Sequence, residues 1–474
     1  MFVLLAPALA ATPLQAPPAT PPAAVAAAAP QAAAAPPASK PAPQPAFRPI
    51  NHDEDYSSFR DQRGANTWTR LKYIPIAGDS YAMLGGELRL RPELRLGERF
   101  GRGAQDTGGD FQQRSRVWGD VQIEGTLRLF VDLEHATSHD LDSVVSVVEQ
   151  GKLDFNQAFA ELRLPLGKAK FTARIGRQEI GIGNQTVFDM REGANARRSF
   201  DVVRVMGQAG RWDGGVLAGY AVLEKVGTFD DRSNHDFDIA AVHLGRSFGA
   251  GSNTGQIEAL FLRSDRASLA FDTAAAARDQ RRTLALRYAG KAKAWSLDIE
   301  GIRQWGSFGT LDIDAWYITG TVARAWQQGW KPRLALRVDV GSGDTDRADG
   351  KIGTYTSAFA RPLTYNGDLG AQNLTVVQPM LNLQPHKRLA VDLSVAGLWR
   401  TSTADGVYGL GGQVLRRATE SDQHFFGKRA TVHARYMVNP FTTLGFFVNV
   451  TKVAEELNPS QDLRYFASYL TFRF

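Results

Sequence analysis

Arginines and carboxylates recur two positions apart in several stretches of this chain. Arg89, Arg91 and Glu93 stand two apart, as do Arg114 and Arg116, and Arg337 and Asp339; Arg177, Asp201 and Arg204 join the same set. A guanidinium stays charged at any physiological pH and offers a planar fork of donors suited to carboxylates. Several of them facing water would attract anions and repel cations. Neighbouring carboxylates such as Glu93, Asp201 and Asp339 would stop that attraction from becoming a trap, and would also hold the arginines in place. Each arginine can equally brace a wall. The chemistry is binding and passage rather than bond breaking.

Other constellations point to less. The chain has no Cys, which removes disulfides, Cys-ligated metals and thiol nucleophiles together. His135 and His139, beside Glu134 and Asp140, have a helical metal spacing but fall where a strand meets a loop, so they read as ordinary loop histidines. Asp344, Asp346 and Asp349 do not follow the calcium-loop pattern and read as solvated loop residues. Gly181-Ile182-Gly183 does not continue into a phosphate loop, and no nucleophile-elbow, zinc-protease or Walker motif occurs. Neither an enzyme nor a cofactor is expected.

The elements that would position the arginines have a period of two. In Glu87-Leu88-Arg89-Leu90-Arg91-Pro92-Glu93-Leu94-Arg95-Leu96 the odd positions are charged and the even ones are Leu apart from one Pro. Successive strand side chains point to opposite faces. One face is therefore charge and the other leucine. The pattern recurs: Arg114, Arg116, Asp120, Gln122, Glu124, Arg128, Asp132 and Glu134 share one phase, with Val117, Val121, Ile123, Leu127, Leu129, Val131 and Leu133 in the other. Arg333, Arg337 and Asp339 alternate with Leu334, Leu336, Val338 and Val340. A barrel with lipid outside and water inside accommodates this pattern and leaves no open sheet edge. Trp295, Trp305, Trp316, Tyr317, Trp326, Trp330 and Trp399 lie near strand ends, as an interface girdle requires.

The fold class is all-β: a transmembrane, antiparallel, up-and-down β-barrel of about 18 strands, with 16 as the alternative. At that size the lumen can hold an aqueous channel. Long loops are expected at Ala136–Lys152, Phe229–Asn234, Arg266–Gln280, Gly341–Asp368 and Thr401–Lys428, and short turns near Gly167, Gly210 and Asn439-Pro440.

Residues 1–10 read as the remnant of an export signal, with a cleavage pattern at Ala8-Leu9-Ala10 but no basic region before it. Residues 11–80 read as a periplasmic linker and pre-barrel segment; its Ala/Pro-rich stretch is expected to be an extended, disordered extension. Residues 81–474 form the barrel. Tyr465–Phe474 alternates and stops on Phe474, which resembles the closing strand that the barrel-assembly machinery engages. The net charge of +6 suggests nucleic acid only superficially. The basic residues alternate with carboxylates instead of forming a phosphate-tracking patch. The expected surroundings are membrane lipid and lipopolysaccharide in the outer membrane of a Gram-negative bacterium.

Several stretches together resemble the alginate-export family of outer-membrane barrels: Arg89 with Arg91; Arg114-Ser115-Arg116; Phe155-Asn156-Gln157-Ala158-Phe159; Gly176-Arg177-Gln178-Glu179; Arg198-Ser199-Phe200-Asp201 with Arg204; and Gly341-Ser342-Gly343-Asp344. The resemblance covers about Tyr81 to Phe474. It implies eighteen strands and a narrow, arginine-rich, electropositive constriction that passes the polyanion alginate. The Ala/Pro-rich extension is not part of that pattern. Two transport readings follow: export of an anionic exopolysaccharide, with possible periplasmic secretion partners, or uptake of small anions such as sugar acids or aromatic acids. A structural or enzymatic barrel is the third.

Overall fold

The computed structural model describes residues 47–62, 66–102, 105, 108–139, 146–359, 369–454 and 461–474. The leader-like start, the Ala/Pro-rich stretch through residue 46, Asp140 and parts of two expected loops lie outside them.

Eighteen antiparallel strands close into one barrel. The first five are β1 (Tyr81–Leu96), β2 (Asp110–Ile123), β3 (Leu127–His139), β4 (Gly151–Leu166) and β5 (Ala169–Gln178). Then come β6 (Phe200–Ala209), β7 (Trp212–Leu223), β8 (Arg232–Ala250), β9 (Asn253–Leu269) and β10 (Ala277–Ala292). Next are β11 (Trp295–Phe308), β12 (Leu311–Ala325), β13 (Arg333–Gly341) and β14 (Leu374–His386). The last four are β15 (Leu389–Arg400), β16 (Phe425–Asn439), β17 (Thr442–Val453) and β18 (Leu463–Arg473). Closure is made by β1 on β18, with Leu88 opposite Phe472 and Leu94 opposite Phe466. The backbone of Gly86 and Phe474 extends the seam by a reciprocal pair of hydrogen bonds.

The alternation read from the sequence is the wall of the barrel. Val117, Ile123, Leu127, Leu129 and Val131 are exposed on the outer face, while Arg114, Arg116, Asp120, Arg128, Asp132 and Glu134 are buried on the inner one. Closing the sheet satisfies every ladder and leaves the apolar face outward, where only lipid suits it. Trp295, Trp316, Trp326 and Trp330 are exposed as a girdle requires. Tyr317 is not part of it. It points inward, and its hydroxyl donates to Asp339 at 2.6 Å.

One end of the barrel has tight turns, at Gly125, Gly167, Gly210 and Gly251 among others, each with a left-handed glycine. The other end carries long connections. Four of the expected loops are shorter than read: β3 runs to His139 and β4 begins at Gly151, β8 already begins at Arg232, β9 runs to Leu269, and β16 begins at Phe425.

Among the described residues several segments fill part of the interior, and two of them meet the sequence candidates. The connection from Glu179 to Ser199, between β5 and β6, folds inward, with Glu179, Ile180, Asn195 and Arg197 buried. Sequence reading marked no loop there, because the segment has neither strand periodicity nor low complexity. The second is the segment from Phe47 through the short helix α1 (Thr67–Lys72). Tyr56, Phe59, Trp68 and Tyr73 pack with Tyr81, Met83, Trp118, Phe130 and Phe159 from the inner wall. This lumenal strap follows the Ala/Pro-rich stretch. Its aromatics have enough apolar area to dock, unlike the alanines and prolines before them.

Candidate functional site

The inward phase of β1 and β2 aims Arg89, Arg91, Arg114 and Arg116 at the lumen, and the inward loop meets them there. Arg89 donates to the carbonyls of Glu192, at 3.0 Å, and Ala194. Arg91 donates to the Gly193 carbonyl at 2.5 Å and pairs with Glu93 at 3.0 Å. Arg114 reaches the same carbonyls of Glu192 and Ala194 at 3.4 and 3.3 Å, and pairs with Glu87 at 2.7 Å. Three guanidiniums thus converge on consecutive loop carbonyls. These loop residues are half-buried, and the arginines donate to carbonyls that no strand ladder or helix satisfies.

Arg116 lies deeper, against Asp132, Glu179 at 3.0 Å and Glu134 at 3.6 Å. Arg197 of the loop shares Glu179, at 2.8 Å. Burial opposes the Glu179 charge, but Arg116 and Arg197 outweigh it and hold the carboxyl below its usual range. Asn195 ties the loop to the wall carbonyls of Gln113 and Thr137, at 3.1 and 2.8 Å, and to the Glu149 carbonyl just before β4, at 2.9 Å.

The remaining sequence candidates are dispersed. Arg177 makes a bidentate pair with Asp201 at 2.9 and 3.1 Å, near the long-loop end. Arg337 pairs with Asp339 at 2.7 and 2.8 Å on β13. Glu93 also accepts from the Tyr465 hydroxyl at 2.6 Å. Arg204 differs: among the described residues it has no hydrogen bond or ion pair, and it borders a side pocket of about 320 Å³ with Asp213, His243 and Glu258. His135 and His139 make no metal cluster among the described residues. Asp344, expected to be solvated, is buried instead, and its backbone N–H donates to Asp405 at 2.9 Å.

What space remains is eccentric. The strap covers the inner face of β1–β5, and a cavity of about 1090 Å³ lies against β8–β13 on the other side. Its lining includes Arg91 and Arg337, as read from the sequence, together with Arg95, Arg191, Arg287 and Arg333, and fewer carboxylates, among them Glu149, Glu258 and Asp298. Arg287 is held by Glu258 and, at 2.7 Å, by Asp298. The signal for these extra arginines was the inward phase itself, which Arg333 shares with Arg337. Nothing in the alternation distinguished them from wall braces.

A family model described as alginate export matches residues 80–457. This chain belongs to the alginate export family. No curated protein matches it. Among solved structures, the alginate-export barrel is similar to Pseudomonas aeruginosa OccK9 (OpdG), with a TM-score of 0.58 and 11% identity over 83% of this chain and 98% of that one. A BenF-like porin from Pseudomonas fluorescens Pf-5 has a TM-score of 0.56 at 10% identity, over 83% and 98% of the two chains. Pseudomonas aeruginosa OccK2 (OpdF), solved in complex with glucuronate, has a TM-score of 0.54 at 11% identity, over 83% and 96%. At such identities the likeness is one of fold. With the family, it makes the alginate-export barrel an outer-membrane channel of a Gram-negative bacterium. Its short turns then face the periplasm and its long loops the outside.

Proposed function

We propose that the lumen conducts carboxylate-bearing solutes and that its cargo is an anionic exopolysaccharide moving outward. The observation that carries this reading is the excess of guanidiniums over carboxylates in the eccentric cavity. Each uronate unit carries one carboxylate, and arginines spaced along a wall would pass it from one fork to the next. On this reading Arg91, Arg204 and Arg337 contact the solute. Arg89, Arg114, Arg116 and Arg177 position the constriction, and Glu93, Asp201 and Asp339 set how firmly the arginines hold an anion. The barrel-assembly machinery at the strand ending in Phe474 and periplasmic secretion partners belong to the same reading.

A second reading, uptake of single small anions, is favoured by the size of the cavity. About 1090 Å³, closed in by the inward loop and the strap, suits a small ligand. The fold it shares with OccK2, solved with glucuronate, points the same way.

The test is the reversal potential of the refolded protein in a planar bilayer under a KCl gradient, followed by block with glucuronate or with uronate oligomers. Chloride preference with oligomer block from the periplasmic side supports export. Block by the monomer alone supports uptake. Cation preference overturns both.

A further inference from the structure

The periplasmic rim carries an outward pattern that conduction does not use. Arg324, next to last in β12, is directly opposite Trp295, the first residue of β11, so both side chains leave the same face of the sheet. Its guanidinium lies 5.6 Å from the Trp295 ring centroid and 4.9 Å from that of Trp326. Farther round, Arg246 of β8 is opposite Trp212 of β7 and lies 5.0 Å from its ring. All five residues are exposed on the outer surface. The turns beside them place Lys293 and Lys331 at their tips in left-handed conformations, both exposed.

These arginines are unlike those at the opposite rim. On the outer face near the long loops, Arg303 pairs with Asp314, and Arg263 has Asp265 at 3.8 Å. Among the described residues Arg246 and Arg324 have no carboxylate and no hydrogen bond. An arginine on the lipid face costs about 2–4 kcal/mol at the midplane but about 0–1 kcal/mol near the interface. Its stem lies along apolar surface while its head reaches the headgroups. Contact with an indole face holds the guanidinium near the ring without consuming its N–H donors. A fork without a counter-ion, at headgroup depth and beside lysines, is complementary to a phosphodiester.

We propose that Trp295, Arg324 and Trp326, with Arg246 on Trp212 as a second position, bind the headgroups of anionic phospholipids in the periplasmic leaflet. The phosphate would sit on the outward edge of the guanidinium, between the indole N–H groups, with Lys293 and Lys331 adding positive charge at the turn tips. Phosphatidylglycerol, which carries a net negative charge, would be favoured over phosphatidylcholine, whose phosphate is neutralised by its own cation.

The test reconstitutes the full chain into nanodiscs of equal phosphatidylglycerol and phosphatidylcholine. After exchange into detergent, the lipid retained per protein is counted by native mass spectrometry. The expected result is several-fold enrichment of phosphatidylglycerol in the wild type, falling towards parity in the Arg246→Gln/Arg324→Gln double variant. Arg303→Gln, at the other rim, should keep the enrichment. Parity in the wild type overturns the proposal without any variant being needed, and so does enrichment that survives in the double variant.

Discussion

The Arg197 guanidinium donates to the carbonyl of Pro49 at 2.8 Å, so the inward loop is tied to the lumenal strap as well as to the wall. Asn51 continues the attachment, donating to Asp132 at 3.0 Å and accepting from Gln157 at 2.7 Å. Arg473 pairs with Glu54 at 2.8 Å, and at the strap's other end Lys72 donates to the carbonyl oxygen of Phe474 at 2.9 Å. Deleting residues 1–62 should therefore both uncover wall and loosen the constriction. Single-channel recording should show a larger and noisier conductance than the full chain. An unchanged conductance would mean that the strap takes no part in setting the aperture.

His52 should make strap docking sensitive to pH. One ring nitrogen lies 2.7 Å from an Arg174 Nη1, which can only donate, so Nε2 must accept and the proton sits on Nδ1, 2.5 Å from the Gln157 amide oxygen. Burial, then Arg174 and Arg128, holds the imidazole well below its usual pKa; Asp53, 3.5 Å away with a largely exposed carboxylate, does not offset them. The unfolded or undocked segment takes up a proton near pH 6.5 while the docked one does not, so docking is strongest above about 6.5 and weakens as pH falls below it. Conductance should rise between pH 7.5 and 5.5, and His52→Gln should flatten that dependence. A rise that is equally steep in the variant would assign it to another group.

The barrel was legible in the sequence because lipid and water impose opposite demands on alternate side chains. Val117 against Arg116, and Leu336 against Arg337, declare their faces without any knowledge of the fold. What fills the lumen was not legible. The period says that Arg89 and Arg114 point inward, but not that three consecutive loop carbonyls wait for them. The inward loop has no period of its own that would declare a buried face. The strap gave a fainter signal: Tyr56, Phe59, Trp68 and Tyr73 are aromatic beyond the needs of a linker. Tyr317 was misplaced because an aromatic near a strand end suits the girdle and the lumen alike, and only its phase with Asp339 separates the two.

Facing can be tested directly at Leu336, which is 43% exposed on the outer wall. Leu336→Arg would put a charge into lipid and should cost about 2–4 kcal/mol at midplane depth. The refolding equilibrium in lipid vesicles measures this, with Leu336→Ala as the size control. A cost no greater than that of the alanine variant would mean that the position faces water or lies at the interface.

Arg116 and Arg204 separate bracing from conduction. Arg116 is fully enclosed by carboxylates, so Arg116→Gln would leave Asp132 and Glu179 buried with much of their compensation gone. Breaking a buried pair from one side costs about 3–5 kcal/mol. The variant should fold less stably, with a lower denaturant midpoint. Arg204 has no such partner among the described residues, and Arg204→Gln should lower the denaturant midpoint clearly less than Arg116→Gln does. If it is one of the groups that an anion meets, its loss should instead move the reversal potential towards zero. Each protein therefore needs both measurements, a denaturant titration and a salt-gradient potential. A stable Arg204→Gln channel with wild-type chloride preference would remove Arg204 from the conducting set. A stable Arg116→Gln channel with altered preference would reverse the two roles.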